Sequence, residues 1–209
     1  EVTTMGQKHQ PQAVGQLIAT NRGRQNSVSA YRATQVSQAN GGKLLTATLQ
    51  RWETRDDLLQ TFCIDKQIEL TNIPERCFFQ NAPTLWTVNL AYGFGTAQEW
   101  LAYQITDLSE FSGAKDKITD RQLDQIIQLI TDDYGFLNMA EIMLFCRRFK
   151  KGRYDKFYGS VDPIAIMQGL NVFCRERNEA YAKRDRWLQE VKDWDDRWNP
   201  NNMTHEEAI

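Results

Sequence analysis

Apolar residues recur at three- and four-residue steps through the second half of the chain, the period of an amphipathic helix. Leu85, Val88 and Tyr92 mark one run, with Pro83 in its first turn and Gly93 as its stop. A second run begins at Thr96, where Thr96 and Glu99 predict a capping box, and Ala97, Leu101, Ile105 and Leu108 form its apolar face. Gly113 ends it. Thr119 with Gln122, then Asn138 with Glu141, repeat the capping pattern ahead of two further stripes. The first stripe is Leu123, Ile126, Ile127, Ile130 and Tyr134; the second is Met139, Ile142, Phe145, Cys146 and Phe149, closed by Gly152. Asp162 and Pro163 open a fifth helix as cap and first-turn proline, and nothing interrupts it before Asn199-Pro200, Gly169 being tolerated at about 1 kcal/mol. Caps and periodicity that agree in succession predict an all-α fold, with a compact multi-helix core over 82–184 and a long C-terminal helix and tail projecting over 185–209.

The first half is less regular. Residues 1–42 are rich in Gln, Ser, Asn, Thr and Gly, too poor in large apolar side chains to offset the entropy of ordering, and are expected to be a flexible arm. Lys8, Arg22, Arg24 and Arg32 against Glu1 give it a net +3, which either seats on an acidic partner or phosphate backbone or is simply solvated. Residues 43–81 read as short helices and loop. Thr54 with Asp56 and Asp57 is a helix start, because the hydroxyl can accept a backbone N–H and the carboxylates favour the positive end of the helix dipole. The stretch 66–79 is interrupted by Pro74 and reads as loop with an extended piece.

Composition narrows the function classes. With 41% hydrophobic and 25% charged residues the chain as a whole is globular, and a net charge of −2 leaves room only for local contact with nucleic acid. Cys63, Cys77, Cys146 and Cys174 form no CxxC pair and read as free thiols of a reducing, cytoplasmic compartment. No run approaches the ~18 apolar residues of a membrane span, so no membrane partner is expected. His9 and His205 both fall in the terminal regions, which leaves the core without a histidine base or a Cys/His zinc site. No glycine-rich phosphate cradle follows a strand, and Tyr92-Gly93-Phe94-Gly95 reads as a turn between helices. The adjacent pairs Asp56-Asp57, Asp132-Asp133 and Asp195-Asp196 point to different sides of a helix and make no metal site. The expectation is a non-enzymatic protein without metal or cofactor.

Two features remain. Arg147, Arg148, Lys150, Lys151, Arg153 and Lys156 stand against Asp155, net +5 within ten residues, interleaved with Tyr154, Phe157 and Tyr158. Cations with stacking aromatics suit DNA or RNA, which makes Arg147, Arg148, Lys150, Lys151, Arg153, Tyr154, Lys156 and Tyr158 the candidate nucleic-acid contacts. Alternatively the cations offset a helix dipole and the aromatics fold inward. Further on, Trp187, Val191, Trp194 and Trp198 recur at helical spacing among charged residues. That stripe either docks on the protein's own helices or binds another chain, a second copy of itself included.

Several of these motifs also carry a resemblance. Pro83-Thr84-Leu85, Tyr92-Gly93, Trp100-Leu101, Ile118-Thr119 with Gln122-Leu123, Phe136 to Ile142, Phe145 to Tyr154 and Phe157-Tyr158-Gly159 resemble an uncharacterised family of gut anaerobic bacteria, their phages and mobile elements, over Pro83 to Arg177. Asp155 stands where that family more often has glycine. The resemblance implies no activity, and it associates the chain with DNA transactions of mobile elements. The expected function is a non-enzymatic binding or adaptor protein tied to nucleic acid in mobile-element replication or maintenance. The alternative is a protein-assembly or structural subunit that uses the tryptophan stripe.

Overall fold

A computed structural model describes residues 42–154 and 156–198. All but the last residue of the expected arm, both histidines, Asp155 and everything from residue 199 onward lie outside the described residues. Their regular elements are all helical: α1 (Gly42–Arg51), α2 (Arg55–Thr61), a 3-10 turn (Ile64–Lys66), α3 (Gln67–Leu70), α4 (Pro74–Phe79), α5 (Leu85–Tyr92), α6 (Thr96–Phe111), α7 (Asp120–Asp133), α8 (Met139–Lys150) and α9 (Pro163–Trp198). No β-strand is present among them.

The polar residues at the helix starts explain most boundaries. Thr54 and Asp57, Thr119 and Gln122, and Asn138 and Glu141 each exchange side-chain and backbone hydrogen bonds, satisfying N–H groups that the first turn leaves open. The predicted box at Thr96 is absent. Gly95 is the N-cap, the Thr96 hydroxyl donates back to the Tyr92 carbonyl, and Glu99 pairs with Arg55 of α2. Residues 66–79 are mostly helical, broken only at 71–73, rather than loop with an extended piece. Pro74 occupies the first position of α4, where its missing N–H is harmless, and Cys77 and Phe78 of that short helix are buried.

The core runs unbroken from Trp52, Leu58 and Phe62 through Leu101, Ile105, Ile126 and Ile142 to Leu170 and Phe173. The short helices before residue 82 therefore share one core with the longer ones. α8 lies at its centre, with nine of its twelve residues buried, including Glu141. The Glu141 carboxylate caps its own helix and accepts from Arg177 Nε of α9 at 2.6 Å. Burial pushes its pKa up, against the backbone N–H of Asn138 and the Arg177 charge. Of the thiols, Cys77 and Cys146 are buried and Cys63 and Cys174 only partly so, and all four are free.

The long helix α9 spans 36 residues, roughly 54 Å. Ile166, Leu170 and Phe173 are buried in the body, Arg177 reaches Glu141, and the Tyr181 hydroxyl donates to the Phe78 carbonyl. From Ala182 to Trp198 every residue is exposed.

Candidate functional site

The fold divides the basic cluster. At its centre α8 ends in a Schellman motif: Gly152, at φ 72°, donates to the Phe149 carbonyl at 2.8 Å, and Arg153 N–H donates to the Arg148 carbonyl at 3.1 Å. Glycine fits the left-handed position and the chain reverses sharply. The reversal brings Arg148 and Arg153 to one carboxylate on α9, Glu176, at 2.7 and 2.8 Å, with the Tyr154 hydroxyl donating to the same group at 3.2 Å. Arg148 also lies 5.8 Å from both the Phe78 and Phe173 ring centroids.

The other cations face elsewhere. Lys150 turns to the opposite side and pairs with Asp107 of α6, while also donating to Gln67 at 3.0 Å. Arg147 donates to the Ile68 carbonyl and the Thr71 hydroxyl, tying α8 to α3 and the turn that follows it. Two of the three aromatics fold inward. Tyr154 stacks on Phe145 with ring centroids 5.6 Å apart, and Phe157 stacks on Phe149 at 5.1 Å. Burial pushes the Tyr154 phenol up to about 12, with Glu176 adding to the shift. Lys151, Lys156 and Tyr158 are exposed, Tyr158 by 86%.

Much of the sequence cluster thus builds the joint between α8 and α9. Gly169 shows how tight that joint is. A methyl group there would sit 2.9 Å from the Phe149 ring and 3.1 Å from the Tyr154 Cβ, so the helix-weakening glycine at 169 is the residue that lets α9 seat against the turn. Arg147, Arg148, Lys151 and Arg153 also line an open cleft of about 300 Å³ with Thr71, Asn72 and Pro74.

The tryptophan stripe is placed differently. A single row at alternating four- and three-residue steps runs the whole length of α9: Ile166, Leu170, Phe173, Arg177, Ala180, Arg184, Trp187, Val191, Trp194 and Trp198. The body covers the row as far as Ala180, and Arg184 closes it off with its guanidinium 4.4 Å from the Phe79 ring centroid. Beyond that, Trp187 is 59% exposed, Trp194 59% and Trp198 70%, with Val191 and Leu188 exposed beside them. No described residue covers this end, so among the described residues the stripe does not dock on the protein's own helices.

Sequence reasoning missed one further surface. α7 and the first turns of α9 flank an open groove of about 530 Å³, lined by Ile126, Leu129, Ile164 and Met167 among glutamines. Leu129 and Ile164 are exposed in it, off the buried faces that periodicity selects. No group of three or more His, Cys, Asp or Glu side chains converges as a metal site among the described residues, and no described helix is long and apolar enough to cross a membrane.

Fold and surface together define a helical body with one helix continued well beyond it. A family of unknown function, DUF6633, matches residues 117–202. The match takes in α7, α8 and all of α9, so it extends past the stretch ending at Arg177 and includes the projecting tryptophans, while residues 83–116 fall outside it. No curated protein matches the chain, and no solved structure does.

Proposed function

We propose that this chain is a non-enzymatic assembly or adaptor subunit that binds another protein chain through the projecting part of α9. One observation carries the reading: the apolar row that holds α9 to the body continues past it, and there three tryptophans and Val191 stand in water. Contiguous apolar surface on an exposed helix is costly unless a partner covers it, and tryptophan is the side chain most enriched where binding energy concentrates. The four free thiols agree with a cytoplasmic setting.

The test compares the full chain with one ending at Tyr181, by mass in solution and by partner capture from the source cell. The shortened chain should keep the melting transition of the body and lose every assembly, with itself or with others. A full chain that is monomeric and captures nothing beyond what the shortened one captures removes the reading.

A second reading, contact with DNA or RNA phosphates, draws support from the cleft lined by Arg147, Arg148, Lys151 and Arg153, of which Arg148 and Arg153 share the single carboxylate of Glu176. The resemblance to proteins of phages and mobile elements points the same way, toward replication or maintenance of such an element. Arg147→Ala with Lys151→Ala should then weaken binding to single- or double-stranded DNA and flatten its dependence on salt. Equal affinity in the variant, or none at low salt in either protein, removes this second reading.

A further inference from the structure

We infer that the partner of the projecting helix is a second copy of this chain, laid antiparallel across it with the two bodies at opposite ends. The inference rests on the protein-binding reading above and adds the identity and direction of the occupant.

Charge along the exposed segment supplies the argument. Its inner part carries Lys183, Arg184 and Arg186 against Asp185, net +2. The outer part carries Glu190, Asp193, Asp195 and Asp196 against Lys192 and Arg197, net −2. Two such segments side by side in the same direction put like charge beside like. Reversing one sets the two positive inner parts at opposite ends of the overlap, and it also opposes the helix dipoles.

Register sharpens this. In coiled-coil terms Trp187 and Trp194 occupy d positions and Val191 and Trp198 occupy a positions. Antiparallel pairing sets a against d, so Val191 faces Trp194 of the second copy and Trp187 faces Trp198. Two such layers on each side of the twofold axis enclose all six tryptophans of the paired segments. Glu190 and Arg197 are the flanking g residues, and this register brings Glu190 of each copy beside Arg197 of the other. A parallel pair instead sets Glu190 beside Asp195 twice. The overlap from Trp187 to Trp198 is roughly 18 Å long, which suits a reversible dimer rather than an obligate one.

Sedimentation equilibrium of the full chain from about 1 to about 100 μM tests the inference. The mass should climb from one chain toward two, and Trp194→Asp should hold it at one chain without shifting the melting transition of the body. Glu190→Arg should weaken the dimer roughly tenfold or more, and Glu190→Arg combined with Arg197→Glu should restore it. Tighter association of Glu190→Arg would mean parallel pairing and overturn the proposal. A monomer at every concentration would also overturn it, while leaving the protein-binding reading to its own truncation test. A monomer whose tryptophans resist a soluble quencher until residues 1–41 are removed would assign the stripe to the arm and overturn both.

Discussion

The two parts of α9 carry the same apolar period and meet opposite surroundings. Over Pro163–Tyr181 the row is buried against α4, α7 and α8 and locked by Glu176 and Arg177; over 182–198 it stands exposed. A helical period tells which face of a segment is apolar. What covers that face depends on how far neighbouring helices extend, and α4 and α8 end before α9 does. The inner part is therefore a matter of stability and the outer part a matter of association, and substitutions should separate the two.

Phe173→Ala should have the largest effect. The ring is fully buried between Phe78 and Phe145, and its loss should cost about 3–5 kcal/mol, read from chemical denaturation. Gly169→Val should follow, at about 1–3 kcal/mol, because even one added methyl meets Phe149 and Tyr154 inside van der Waals distance; an unchanged midpoint would mean that the joint yields.

Tyr154→Phe probes the same joint through pH. The phenol is raised from 10.0 to about 12, so its proton is held more tightly in the folded chain. The stability linked to it is fully present below pH 10 and lost as pH rises toward 12. Urea midpoints of the variant should fall less over that window than those of the parent. The smallest effect on folding is expected from ending the chain at Tyr181, within about 0.5 kcal/mol, although that deletion removes the whole exposed stripe. A large loss there would erase the distinction between the two parts.

Local chemistry was the most legible part of the sequence. Thr119 with Gln122 and Asn138 with Glu141 cap their helices as their spacing predicts, since each interaction closes within four residues. The failures involve distant partners. Thr96 and Glu99 fit a capping box until Arg55, 44 positions earlier, pairs with Glu99 and Gly95 takes the cap. Pro74 reads as an interruption unless the burial of Cys77 and Phe78 is known, and burial is set by α8 and α9. The basic turn follows the same rule. Its charge within ten residues is high, yet Asp107 and Glu176, which neutralise part of it, lie 43 and up to 28 positions away. The tryptophan row and its projecting helix were visible as a pattern, and whether the body covers the row was not.

The length of α9 beyond the body also governs how its backbone breathes. An isolated helix as short as the outer segment is marginal in water, because starting the first turn is unfavourable. Here the docked segment is already wound, so the outer turns form by extension alone and each depends on the one before it. Amide protons should then exchange with solvent progressively faster from Ala182 toward Trp198, and a binder gripping the far turns would slow exchange along the entire outer helix.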